Sequence, residues 1–185
     1  FKAWSANQLH LRNAIVEACV TEYETKEDEP YVFLVKGEAG VGKSVVLSAT
    51  FNKIEELAQD KDSPLYGTEN RLLVNHTEML KTYEDIAGRV KTLKKKQFLK
   101  PTTFINQQKK KGERADIVFV DEAHLLLTRP DAFNNFRENN HLEEIIEHSR
   151  VVVFMYDEKQ VLRFKSYWDE ERLQQIVEPY RKNKP

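Results

Sequence analysis

A single cysteine, Cys19, stands in 185 residues. It excludes an internal disulfide and fits a reducing compartment, taken here as the cytoplasm. No run of about 18 apolar residues occurs, which argues against a membrane span. Five histidines and one cysteine at scattered positions offer no metal-site spacing. Internal repeats are absent, and the only biased tract is rich in lysine. The chain opens at Phe1 with no signal-like segment and no initiator methionine, so it reads as a piece of a longer protein. What is present is 40% hydrophobic and 32% charged, adequate for one core under a soluble surface. The length suits one α/β domain, residues 1–185, and is too short for two.

The informative stretch is YVFLVKGEAGVGKS, Tyr31 to Ser44. Val32 to Val35 form a short apolar, β-favouring run that suits a strand buried on both faces of a parallel sheet. Gly37, Glu38, Ala39, Gly40, Val41, Gly42, Lys43 and Ser44 then match G-x-x-x-x-G-K-[ST]. Beyond them Val45, Leu47 (or Ser48), Phe51, Ile54 and Leu57 (or Ala58) recur at helical spacing. Strand, glycine loop and helix stand in the order that a phosphate-binding loop needs. Glycine lets the backbone curl with its N–H groups converging on phosphate, and the helix start adds unpaired donors and its positive dipole end. Lys43 is then placed to reach the β- and γ-phosphates and Ser44 to ligate Mg²⁺. A glycine-rich turn that binds nothing is the alternative, and the correct flanks weigh against it.

Upstream, Ser5 to Val20 reads as a helix with Leu11, Ile15 and Cys19 on one face. Gln8 either completes a capping box with Ser5 or reads adenine ahead of the loop. The acidic TEYETKEDEP that follows reads as a solvated loop. Downstream, Arg71 to Asn75 is a second strand, and Thr77 to Leu93 a helix with Thr77 or Asn75 near its start. Ile117 to His124, IVFVDEAH, is a third strand with Asp121 at its carboxyl end, where open α/β sheets place their sites. Asp121 can hold Mg²⁺ through water opposite Ser44, and Glu122 can orient and deprotonate an attacking water. His124 is either a coupling residue or a helix-start side chain. Arg129 to His148 reads as helical, either one helix or two divided at its four asparagines; Arg150 to Met155 is a fourth buried strand, and Trp168 to Val177 a last helix.

Between Arg89 and Lys111 stand nine basic residues and no acid. The whole chain has net charge −1, so everything outside that stretch sums to about −10. Such asymmetry suits a phosphate backbone, with Phe98, Phe104 and Asn106 placed to contact unpaired bases and Lys109, Lys110 and Lys111 to follow the strand. A solvated lysine-rich surface is the other reading.

GEAGVGKS, VFVDEAH and YDEKQ, in this order, resemble motifs I, II and III of superfamily-one DNA/RNA helicases, nearest to a bacterial Schlafen-like branch. The likeness covers Gln8 to Gln160, and D-x-x-Q, Asp157 to Gln160, distinguishes it from superfamily two. It implies a RecA-like, mostly parallel sheet of about five strands, with the Arg150–Met155 strand between the P-loop and DEAH strands. It further implies ATP and Mg²⁺ as cofactors, with Gln160 sensing the γ-phosphate and Asp157, at the nucleotide, linking hydrolysis to movement. Asn75 and His76, and Thr102 and Thr103, would face single-stranded nucleic acid. The second RecA-like domain of such a motor, with its arginine finger, is missing from this chain; Tyr180-Arg181 is too short to stand for its first motif. Two functions follow as expectations: the first motor domain of an ATP-driven helicase or translocase, or a nucleotide-dependent regulatory switch.

Overall fold

The computed structural model describes residues 6–25, 29–36, 43–123, 141–156 and 178. Along the chain run α1 (Ala6–Thr25), β1 (Tyr31–Lys36), α2 (Lys43–Gln59), β2 (Arg71–Val74), α3 (Thr77–Gly88), a 3₁₀ turn (Lys95–Gln97), β3 (Phe98–Leu99), α4 (Pro101–Lys111), β4 (Ala115–Asp121), α5 (His141–Glu147) and β5 (Ser149–Tyr156). The five strands form one sheet in the order β1-β5-β4-β2-β3, and every neighbouring pair is parallel. β5 thus lies between β1 and β4, as the resemblance led one to expect. The arrangement is α/β and consistent with a RecA-like fold.

Apolar side chains on alternate positions of the strands feed two cores. Ile117 and Phe119 of β4, with Val151, Val153 and Met155 of β5, pack beneath α1, α2 and α3. Val118 and Val120, with Val152, Phe154 and Tyr156, pack against α4 and α5. Strands buried on both faces need nearly continuous apolar sequence, which is why β4 and β5 are so plain to read. At the centre of the first core Phe51 is fully buried. It meets Phe98 at 5.6 Å and Phe119 at 5.5 Å between centroids, both edge-on. Removing such a ring costs about 3–5 kcal/mol.

Several expectations are corrected. α1 continues to Thr25 where an acidic loop was expected from Thr21. Its last turns are held down: the Tyr23 hydroxyl donates to Asp116 Oδ1 at 2.8 Å, and the Arg150 guanidinium lies 4.7 Å over the Tyr23 ring. α3 stops at Gly88, short of Leu93. The chain then folds back through tight turns that bury Leu93 and set up the two-residue edge strand β3. Val45 is 53% exposed, and Val46 takes the buried position beside Leu47. Phe98 and Phe104 are core residues, 3% and 0% exposed, and so are closed to bases. Cys19 is buried as a small apolar residue, and desolvation, with Glu22 nearby, pushes its thiol up to about 12. Of the Arg129–His148 helix only α5 falls within the described residues, and the Trp168–Val177 helix lies outside them. No helix among the described residues is long and apolar enough to cross a membrane.

Candidate nucleotide site

β1 ends at Lys36 and α2 begins at Lys43, so strand and helix flank the glycine stretch in the expected order. Gly37, Glu38, Ala39, Gly40, Val41 and Gly42, together with the Lys43 side chain, lie outside the described residues, as do Ser5, His124, Asp157, Gln160 and Tyr180-Arg181. The described part of the site is built from the carboxyl ends of the strands. β1 and β5 finish level, Lys36 opposite Tyr156, and Asp121 closes β4 opposite Val74 of β2.

Asp121 is 1% exposed, and both its oxygens have donors. Oδ1 accepts from the Glu122 backbone N–H at 2.8 Å, and Oδ2 from the Tyr83 hydroxyl at 2.5 Å. The Ser44 side chain lies within reach of the same phenol and acts on it against the effect of burial. A phenol has one proton, here given to Asp121, so toward Ser44 its oxygen can only accept. Burial first, then the Asp121 carboxylate beside it, raises Tyr83 well above the ordinary tyrosine range, and the hydroxyl stays protonated. The charge of Glu122 raises Tyr83 further in the same direction.

Glu122 has φ 53°, the one non-glycine residue with positive φ among those described. A side chain in that left-handed region costs about 1–3 kcal/mol and is held there by its surroundings. Here the Asp121 carboxylate holds the Glu122 N–H. The turn carries the chain off the strand end immediately after the aspartate.

Tyr83 went unseen in the sequence, where its helical position marks it as core. It is core: fully buried, with its ring stacked on Phe98 at 5.9 Å and 15°. The available signal was only that a buried tyrosine needs a partner for its hydroxyl. That the partner is Asp121 follows from the way α3 lies across the sheet.

Ser44 and Asp121, both beside the Tyr83 hydroxyl, offer a pair of hard oxygens, the chemistry that suits Mg²⁺. No group of three or more His, Cys, Asp or Glu that could hold a metal ion occurs among the described residues. Two protein oxygens fit a cation that keeps several waters and takes phosphate oxygens as its other ligands.

The remaining candidates fall in three places. Gln8 lies half-buried in the first turn of α1. Asn75 and His76 follow β2, and Thr102 and Thr103 open α4 just after β3, so adjacent strands bring both segments to one sheet edge. Lys100 Nζ donates to Thr77 Oγ1 at 2.8 Å and ties the two together. His76 is exposed and is the residue that caps α3, its Nδ1 accepting from Met79 N–H at 3.2 Å, in place of Thr77 or Asn75. Thr102 Oγ1 is 3.0 Å from Nε2 of the buried His141. Lys109, Lys110 and Lys111 stand at the other end of α4. An eleven-residue helix is about 16 Å long, so they sit at the opposite edge of the sheet. There Lys109 pairs with Glu144 at 3.8 Å.

Comparison with known proteins agrees with this architecture. Residues 30–185 match the family model described as Schlafen group 3, DNA/RNA helicase domain. The Saccharomyces cerevisiae protein named "Uncharacterized protein YPL245W" is 43% identical over 172 residues, covering 90% of this chain and 38% of the yeast protein. The chain therefore spans little more than a third of that relative's length. The relative is fungal, and neither match carries the bacterial branch of the resemblance. With a parallel five-stranded sheet and a family match over most of its length, the chain belongs to the Schlafen group 3 DNA/RNA helicase domain family.

Proposed function

We propose that this chain binds ATP with Mg²⁺ and hydrolyses it, as the first motor domain of a helicase or nucleic-acid translocase. The observation that carries the reading is the buried Asp121 at the end of β4, held by the Tyr83 hydroxyl, which lies within reach of Ser44 at the start of α2. In this reading the 37–44 loop wraps the phosphates and Lys43 binds the β- and γ-oxygens. Ser44 and Asp121 hold Mg²⁺, which when bound neutralises charge developing on the phosphates. Glu122 orients a water and takes its proton as that water attacks the γ-phosphorus, while the bond from that phosphorus to the β–γ bridging oxygen breaks and ADP leaves. Gln160 and Asp157 report the state of the γ-phosphate, and Gln8 contacts the adenine. Asn75, His76, Thr102 and Thr103 face a single strand at the carboxyl edge. A cytoplasmic location goes with the lone buried thiol.

One observation favours the second reading, a nucleotide-dependent switch. Every basic residue from Arg89 to Lys111 except Lys100 lies before β3 or at the end of α4, at the edge of the sheet away from Asp121. ATPase activity of the full-length protein, measured with and without single-stranded nucleic acid, decides between them. Stimulation by nucleic acid supports the motor. ATP turnover that nucleic acid leaves unchanged supports the switch, and absence of ATP binding rejects both.

A further inference from the structure

A hydroxyl that ligates a cation must present a lone pair to it, so its own proton has to point elsewhere. A carboxylate that shares that cation must be held at a fixed angle. In this protein one side chain does both. Tyr83 gives its proton to Asp121 Oδ2 at 2.5 Å, which leaves its own oxygen free to act as an acceptor toward Ser44 at the start of α2. A Ser44 proton turned toward that acceptor would leave lone pairs on the serine oxygen for a metal. Asp121 is gripped at both oxygens, by Tyr83 at Oδ2 and by the Glu122 N–H at 2.8 Å at Oδ1. Each carboxylate oxygen keeps a further lone pair. The tyrosine itself is fully buried and stacked on Phe98, so its hydroxyl has little freedom to leave.

We propose that Tyr83 is a positioning residue for the magnesium site, orienting Ser44 and Asp121 together through one phenolic oxygen. It touches neither phosphate nor water and acts only through those two residues. The inference rests on the nucleotide-site reading above. Partners of this kind, one step behind a metal ligand, typically change metal affinity about 10–100-fold when removed.

The test is Tyr83→Phe in the full-length protein, which keeps the ring on Phe98 and deletes only the hydroxyl. Affinity for a fluorescent ADP analogue is measured in EDTA and across a Mg²⁺ titration. The expected result is wild-type affinity in EDTA and a Mg²⁺ requirement raised about 10–100-fold. Adding Tyr83→Phe to Asp121→Asn should cause a smaller loss than Tyr83→Phe causes alone, because part of what the tyrosine does passes through the aspartate. An unchanged Mg²⁺ requirement overturns the inference while leaving the nucleotide site standing. So does an equal loss with and without metal, which is the mark of a packing role. If the wild-type protein binds the analogue with no dependence on Mg²⁺, the reading of the site itself fails and this inference goes with it.

Discussion

Val74 and Asp121 are register partners, the last residues of two neighbouring parallel strands. The residues that leave those strands therefore emerge side by side: Asn75 and His76 from one, the strained Glu122 from the other. A strand of nucleic acid lying on the first pair would sit next to the proposed base, and α3 joins the two regions directly. Its capped start is at His76, and seven residues on Tyr83 grips Asp121. Adjacency of this kind gives a motor a short path between its two ligands.

The first prediction concerns binding. A ligand that binds only the folded state stabilises it by mass action, by about 2.7 kcal/mol at 100 times Kd. Mg-ATP or ADP should raise the Tm of the full-length protein. Lys43→Ala should remove most of that rise. Thermal melts with and without nucleotide check it, and equal shifts in both proteins would mean the loop does not hold phosphate.

The second prediction separates binding from chemistry. Glu122→Gln keeps size and hydrogen bonding and adopts the same positive φ at similar cost, so the fold should be unaffected. Turnover should fall about 10²–10⁴-fold, the usual worth of a positioned general base. Nucleotide affinity should hold. Single-turnover hydrolysis beside equilibrium binding gives both numbers, and wild-type turnover in the variant would remove Glu122 from the mechanism.

A third prediction comes from the buried Glu55, whose Oε1 accepts from Asn70 Nδ2 at 2.8 Å. Desolvation raises its pKa, against hydrogen bonds from Asn70 and Gln97 that lower it. With the folded pKa above the unfolded one, the folded state binds the proton more tightly. Its contribution to stability is then fully present below the unfolded pKa, about 4.3, and is lost as pH rises through the folded value. Glu55→Gln keeps the acceptor and removes the charge. Relative to this variant, wild type should gain stability on acidification from neutral pH. Urea denaturation at several pH values tests the sign, and a gap that widens in the variant's favour as pH falls would contradict it.

How much of this was legible in advance depends on what each feature rests on. The four long strands could be read because a strand buried on both faces leaves a local, nearly continuous apolar signature, whereas the place of β5 between β1 and β4 came from the family resemblance. Asp121 was legible for the same reason, being the first acid after such a run. Tyr83 was not, since its meaning lies in a contact across 38 residues of sequence. The last turns of α1 were read as loop because their acids look solvated. Their helical state depends on Tyr23 and on the Glu22 carbonyl, which find Asp116 and Arg150 on the far side of the chain. Phe98 and Phe104 were drawn toward nucleic acid by the lysines around them in sequence. In space the lysines are exposed and the rings face opposite cores of the sheet.

The last prediction follows from that separation. Each contact between a cation and a single-strand phosphate contributes about −0.7 to the slope of log affinity against log salt. If the strand lies along the carboxyl edge, Lys100 is the basic residue of the 89–111 stretch that stands beside it, joined to Thr77 at 2.8 Å. Lys100→Ala should then flatten the slope by about 0.7 and lower stimulation of ATPase activity by nucleic acid. Replacing Lys109, Lys110 and Lys111 together by Ala should leave both quantities near wild type, although it removes three charges, because α4 carries them to the far edge. The surface pair between Lys109 and Glu144 is lost as well, at a cost of about 0–1 kcal/mol, too little to disturb the fold. Affinity is measured at several salt concentrations in the full-length proteins, with nucleotide affinity as the control. A slope flattened by the triple variant and left alone by Lys100→Ala would place the nucleic acid on the amino edge of the sheet, away from Asn75, His76, Thr102 and Thr103. The strand would then lie across the molecule from the ATP site, and the direct path through α3 would lose its purpose.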